Sequence, residues 1–168
     1  MKTMFMLAAL AALAATARAL EVGDAAPPFS APSTAGEISL DAFKGKWLVL
    51  YFYPKSFTPG CTKEACSLRD GIADLGALKA SVVGVSADDL ETQRKFKEAH
   101  RLPFDLIADT DKAVSRAHGA LGIGSLYVQR RTFLVSPDGR IAHVFDAVNV
   151  TTHAADVKAA LEKRQAGR

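Results

Sequence analysis

No apolar run in this 168-residue chain reaches the roughly 20 residues that cross a bilayer as a helix. The longest, Met4 to Ala15, is about a dozen residues, which argues against a membrane anchor. Lys2 stands before it and Ala17-Arg18-Ala19 after it, the Ala-x-Ala pattern of a secretory signal peptide cut after residue 19. An excess of charge of one sign is also lacking. The formal net charge is +3, and Lys2 and Arg18 would leave with the leader. The basic residues are scattered, with no basic stripe interleaved with aromatics, so nucleic-acid binding has no support. The four histidines, His100, His118, His143 and His153, stand far apart and show no ligand spacing with the cysteines, which argues against a metal centre. Internal repeats and low-complexity tracts are absent beyond the Ala-rich leader. Cysteine is scarce too: both residues, Cys61 and Cys66, fall in one short segment.

Residues 20–168 are enough for one compact domain. Pro27, Pro28 and Pro32 mark residues 20–36 as an extended lead-in with a turn at Ser33-Thr-Ala-Gly36. Trp47 to Tyr53 is an apolar, β-forming run that predicts a strand buried on both faces. Pro54 ends it. Cys61 to about Leu78 has a helical composition, with Ala65, Leu68, Ile72 and Leu75 on one stripe. Val82 to Ser86 predicts a second buried strand, Asp88-Asp89 caps a helix over Leu90 to His100, and Phe104 to Ile107 a short strand. A helix over Asp109 to His118 follows. Arg131 to Val135 and Ile141 to Phe145 read as a hairpin turned by Pro137-Asp138-Gly139, and Thr152 to Arg164 as the last helix. Strand and helix alternate before the hairpin, an α/β pattern with a mixed sheet flanked by helices.

The segment Tyr53-Pro-Lys-Ser-Phe-Thr-Pro-Gly-Cys-Thr-Lys-Glu-Ala-Cys66 joins the first buried strand to the first helix. A thiol at a helix start lies in the positive end of the macrodipole, beside backbone N–H groups that lack helical partners, and such surroundings favour a reactive thiolate. Cys61 is therefore the candidate nucleophile. Cys66 admits two readings: a second redox thiol, or a small buried helix residue. Five residues along a helix advance about 7.5 Å and turn about 500°. A disulfide needs Cα atoms within about 7 Å, so the helix must unwind if the two sulfurs are to meet.

Pro54, Thr58 and Cys61 reproduce Pro-x-x-x-Thr-x-x-Cys, and the chain resembles the peroxiredoxins. Cys66 matches the resolving position of the bacterioferritin comigratory protein (PrxQ) subgroup. The resemblance extends from Val22-Gly-Asp-Ala-Ala-Pro through Arg130-Arg-Thr-Phe-Leu-Val to the last helix, and implies a thioredoxin fold and a thiol peroxidase without a cofactor. It implies that Cys61 reduces hydrogen peroxide or an organic hydroperoxide and becomes a sulfenic acid, and that Cys66 resolves it as an intramolecular disulfide. By the same resemblance Thr58 hydrogen-bonds to thiolate and peroxide, and Pro54 shields the pocket. Arg130, two residues before Thr132-Phe-Leu, supplies the cation. Arg131 competes for that role, since neighbouring strand residues face opposite sides. Glu64, one turn beyond Cys61, is either a partner for the arginine or an ordinary exposed first-turn glutamate. Ser86, at a strand end, reads as a cap or turn residue.

The implied partners are a peroxide and a thioredoxin-like reductant, and the enzyme is expected to be a monomer exported to the periplasm. A leader left uncleaved would tether it to the membrane instead. A thioredoxin-like disulfide oxidoreductase is the alternative enzyme, but that chemistry uses Cys-x-x-Cys with both sulfurs in reach. A non-enzymatic binding or holdase protein would not need Pro54, Thr58, Cys61 and Arg130 together. Two departures from the subgroup stand out: Ser56 replaces an Asp or Ala, and the Gly119 to Tyr127 loop is short.

Overall fold

A computed structural model describes residues 19–167, so the leader lies outside the described residues except for Ala19. The turn expected at Ser33 to Gly36 is present, and it closes a hairpin: β1 (Ser30–Ser33) runs antiparallel to β2 (Gly36–Ser39). Proline concealed these two strands in the sequence. Pro32 is tolerated because β1 meets its inner neighbour at a single position, Ser33 with Ile107.

The apolar run becomes β3 (Trp47–Phe52), buried at every residue. Two helices follow, α1 (Pro59–Asp70) and α2 (Ile72–Ala77), then β4 (Ala80–Ser86), α3 (Leu90–Ala99) and β5 (Asp105–Ala108). The chain continues with α4 (Ala113–Ala117), β6 (Arg131–Val135), β7 (Ile141–Phe145) and α5 (His153–Ala166). The sheet order is β2-β1-β5-β4-β3-β6-β7. β3, β4 and β5 are parallel, and β6 and β7 close one side antiparallel. The hairpin turned by Pro137 to Gly139 is where the sequence puts it.

Two helices differ from expectation. The helix from Cys61 to Leu78 breaks at Gly71, and a Cβ there would lie 2.6 Å from the Ala154 Cβ. Glycine lets α5 approach this junction, and it is also the residue a helix interior tolerates least after proline. The expected helix over Asp109 to His118 shrinks to Ala113–Ala117. The Asp109 carboxylate takes the amides of Val114 and Ser115 at 3.0 and 2.8 Å, and Lys112 is left-handed with φ 58°. A buried side-chain acceptor has replaced the first turn of helical bonding.

Alternation along β3 sorts the core. Trp47, Val49, Tyr51 and Tyr53 pack with Cys61, Ala65 and Leu68 of α1, Phe96 of α3, and Val157 and Leu161 of α5. Leu48, Leu50 and Phe52 face the other way, toward Phe29, Ile107, Val114 and Phe133. Cys61 thus sits in the first layer, just beyond the C-terminal end of the most buried strand.

His118 lies in the second layer, its ring against Phe29, Phe52 and Phe133 and its Nδ1 2.9 Å from the Val114 carbonyl. Burial pushes its pKa down to about 4. The unfolded chain binds the proton first, so this residue's contribution to stability is complete above about pH 6.5 and is lost as pH falls toward 4. Urea unfolding at pH 7 and pH 4 should show wild type losing ~3 kcal/mol more than His118→Leu over that interval. Equal losses in the two proteins would refute the assignment.

Candidate active site

Helix α1 begins two residues before the expected start. Thr58 is its N-cap in an extended conformation and Pro59 is its first residue, which suits a position where a missing N–H costs nothing. Cys61 is therefore the third helical residue. The first helical bond from this turn is Thr62 N to Thr58 O at 2.9 Å, which leaves the Gly60 and Cys61 amides without helical partners. Cys61 is 2 % exposed.

A buried polar network holds the loop that leads into this turn. Ser56 N donates to Asp88 Oδ2 at 2.8 Å, and Ser86 Oγ donates to the same oxygen at 2.7 Å. Gln93 Nε2 donates to Ser86 Oγ at 2.8 Å, and Tyr53 Oη donates to Gln93 Oε1. Burial pushes the Tyr53 phenol up, which keeps it a donor. Ser86 is thus a link in the loop's support. Phe57 holds a left-handed conformation, φ 64°, with its ring centroid 5.2 Å from that of Phe96.

Arg130 reaches the thiol: its Nη2 lies 3.2 Å from Cys61 Sγ, and its Nη1 donates to Glu64 Oε2. Gly60 makes room for it, since a Cβ there would stand 3.3 Å from Nη2. Arg131 turns away, donating to the Gly119 carbonyl at 2.8 Å and to Asp146, with its guanidinium 5.3 Å from the centre of the Phe133 ring. Strand alternation makes this division, since Thr132 and Leu134 share Arg130's side while Arg131 and Phe133 share the other.

Glu64 is fully buried, contrary to the reading of an exposed first-turn glutamate. Burial pushes its carboxyl up and the Arg130 guanidinium draws it back, leaving it near 7. Behind it lies a residue that the sequence did not reveal as part of the site. His153 Nε2 is 2.9 Å from Thr132 Oγ1 and 3.7 Å from Glu64 Oε1. Distance along the chain hid His153, and nothing in its local spacing could have pointed to Glu64.

The expected hydrogen bond from Thr58 to the thiolate is not present. Its Oγ1 donates to the Lys55 carbonyl at 2.8 Å instead, and its lone pairs remain. Pro54 is half-buried beside this loop. Cys66 is half-buried, and both cysteines are free on one continuous helix, the spacing at which a disulfide cannot close. Among the described residues no group of His, Cys, Asp or Glu could hold a metal ion.

A thiol at a helix start, a guanidinium on its sulfur and a buried carboxylate behind that guanidinium are the parts that nucleophilic attack by sulfur requires. The AhpC/TSA family model matches residues 22–144. The chain belongs to the AhpC/TSA family. A putative peroxiredoxin bcp from Coxiella burnetii is 42% identical over 145 residues, covering 82% of this chain and 96% of the relative. Peroxiredoxin Bcp from Escherichia coli is 40% identical over 141 residues, covering 80% and 90%. A solved Xanthomonas campestris bacterioferritin comigratory protein, studied for alkyl peroxide reduction, superposes with a TM-score of 0.77 at 32% identity, covering 86% of this chain and 96% of that one. This chain is a peroxiredoxin of the PrxQ subgroup, with the thioredoxin fold that the resemblance implies, and its activity is that of a thiol peroxidase.

Proposed function

We propose that this peroxiredoxin is an exported, monomeric peroxidase in which Cys61 attacks the peroxide and Cys66 resolves the product within the same chain. The observation that carries it is the 3.2 Å approach of Arg130 Nη2 to Cys61 Sγ, which supplies a fixed positive charge where negative charge moves. The thiolate attacks the terminal oxygen of a hydroperoxide. An S–O bond forms as the O–O bond breaks, sulfur is oxidised to the sulfenic acid, and the alkoxide or hydroxide leaves with a proton from solvent. Arg130 and the Gly60 and Cys61 amides stabilise the departing charge, with the Thr58 hydroxyl able to turn toward the peroxide. Pro54 limits water at the sulfur.

The Cys66 thiol then attacks the sulfenic sulfur and expels water, which leaves a Cys61–Cys66 disulfide. A dithiol of the thioredoxin type returns both thiols and is itself oxidised. A Met4 to Ala15 apolar run followed by Ala17-Arg18-Ala19 supports cleavage after residue 19 and export to the periplasm, so the donor is a periplasmic or membrane-relayed thioredoxin-like protein. The alkyl peroxide activity of the Xanthomonas relative supports organic hydroperoxides as substrates alongside hydrogen peroxide.

Mass spectrometry of the exported protein before and after one equivalent of peroxide tests the scheme. The expected product is a chain that starts at Leu20 and is lighter by two hydrogens, with the disulfide inside one chain. An intermolecular Cys61 or Cys66 disulfide would overturn the monomeric scheme. Cys66→Ala should keep the first attack, stall as the sulfenic acid and pass to the sulfinic acid under excess peroxide. Catalytic turnover by that variant with a thioredoxin-type donor at the wild-type rate would remove Cys66 from the cycle.

A further inference from the structure

We propose that His153 is a positioning residue that, with Arg130, closes a socket around the Glu64 carboxyl, and that this socket is the latch that keeps α1 wound between the two cysteines. The inference rests on the reading that Cys66 resolves Cys61. Glu64 stands between them on α1, so any motion that brings the two sulfurs together must unwind the turn that carries it. Its side chain then leaves its place.

That place is built to hold a carboxyl. A carboxyl taken wholly out of water is stable only if its oxygens find partners. Oε2 accepts from Arg130 Nη1. Oε1 has no hydrogen bond of ordinary length, and His153 Nε2 faces it at 3.7 Å. The ring is fully buried and packs edge-on against Phe145, with centroids 5.6 Å apart. Burial keeps it neutral, its pKa pushed down to about 4, so it carries one proton. On Nδ1 that proton would meet no acceptor. On Nε2 it faces Thr132 Oγ1 at 2.9 Å, with Glu64 Oε1 beyond at 3.7 Å, so this tautomer gives the ring proton an acceptor.

The socket is therefore made by β6, through Thr132 and the preceding Arg130, and by the first turn of α5. It grips α1 upstream of Cys66. Downstream, α1 is tied to the same part of the chain by different contacts: Ala154 N donates to Ser67 Oγ at 3.2 Å, Ser67 Oγ reaches the Thr151 carbonyl at 3.4 Å, and Gly71 abuts Ala154. Unwinding confined to residues 61–66 leaves those ties intact and breaks the Glu64 grip. The strength of the grip thus sets how long the sulfenic acid waits for Cys66, and so how often a second peroxide takes it to the sulfinic acid first.

The test is rapid mixing of the mature protein with hydrogen peroxide, quenching with acid and an alkylating reagent, and mass spectrometry of sulfenic, disulfide and sulfinic forms against time. His153→Phe, which keeps the bulk and removes the N–H, and Glu64→Gln should both form the disulfide roughly tenfold faster once the sulfenic acid exists, the scale on which a buried polar group depends on one polar neighbour. Both should accumulate less sulfinic acid. His153→Gln, which returns an N–H near the position of Nε2, should restore the wild-type rate. Leu161→Ala, a cavity in the same helix away from the socket, should lower the melting temperature and leave the disulfide rate unchanged. An unchanged disulfide rate in His153→Phe and Glu64→Gln, or an equal acceleration in Leu161→Ala, overturns the latch. Absence of a Cys61–Cys66 disulfide in wild type overturns the resolving reading and the latch with it, whereas a wild-type disulfide with unchanged variant rates overturns the latch alone.

Discussion

Cys61→Ser is expected to abolish peroxide turnover, measured as peroxide consumption in excess dithiothreitol, while Tm stays within a few degrees of wild type. The attacking species is a thiolate, and a serine hydroxyl in the same place stays protonated near neutral pH. The rest of the site survives the exchange: Arg130 would point at a neutral oxygen instead of sulfur, with Glu64 still on its Nη1. Cys66 cannot take over. It lies further along α1, half-buried, and Arg130 reaches Cys61 instead. Residual activity in Cys61→Ser comparable with wild type would remove Cys61 from the first step.

Arg130→Ala should slow peroxide attack by roughly two to three powers of ten, the usual cost of removing one preorganised donor from a site where charge moves. Two effects add in the same direction. The sulfur loses the guanidinium at 3.2 Å, and Glu64 is left buried without its counter-charge, which drives its carboxyl further up and makes it neutral through the neutral pH range. Arg131→Ala, by contrast, removes a guanidinium bonded to the Gly119 carbonyl and to Asp146. Its cost should fall on the order of the 119–127 loop, with peroxide attack within about threefold of wild type. Stopped-flow measurement of the first oxidation separates the two variants, and a large loss in Arg131→Ala with a mild one in Arg130→Ala would contradict the geometry around Cys61.

Local chemistry made much of this protein legible from its sequence. A seven-residue apolar run marks the buried central strand, Pro137-Asp138-Gly139 marks the closing hairpin, and Asp89 caps α3 by accepting the Thr92 amide at 2.7 Å. Each is a short-range event, decided by backbone preferences and by side chains within a few residues. The motif around Cys61 belongs to the same class, since the end of one strand and the start of one helix place Pro54, Thr58 and Cys61 together. The elements that went unseen are those in which a distant contact overrides local preference. Pro32 enters a strand because the hairpin lies at the margin of the sheet, the long helix ends at Gly71 because α5 approaches there, and Asp109 caps α4 from inside the core.

The same division runs through the site. The sequence alone determined the family motif, the two thiols on one helix and the need for a cation, and it narrowed that cation to Arg130 or Arg131. Only the tertiary structure decided between them, because the direction of a side chain depends on which face of β6 lies toward α1. It also decided that Glu64 is buried and that His153 stands behind it, since α1, β6 and α5 converge on that carboxyl from distant parts of the chain. A carboxyl withdrawn from water needs partners on every side, and sequence spacing cannot name partners that only packing brings together.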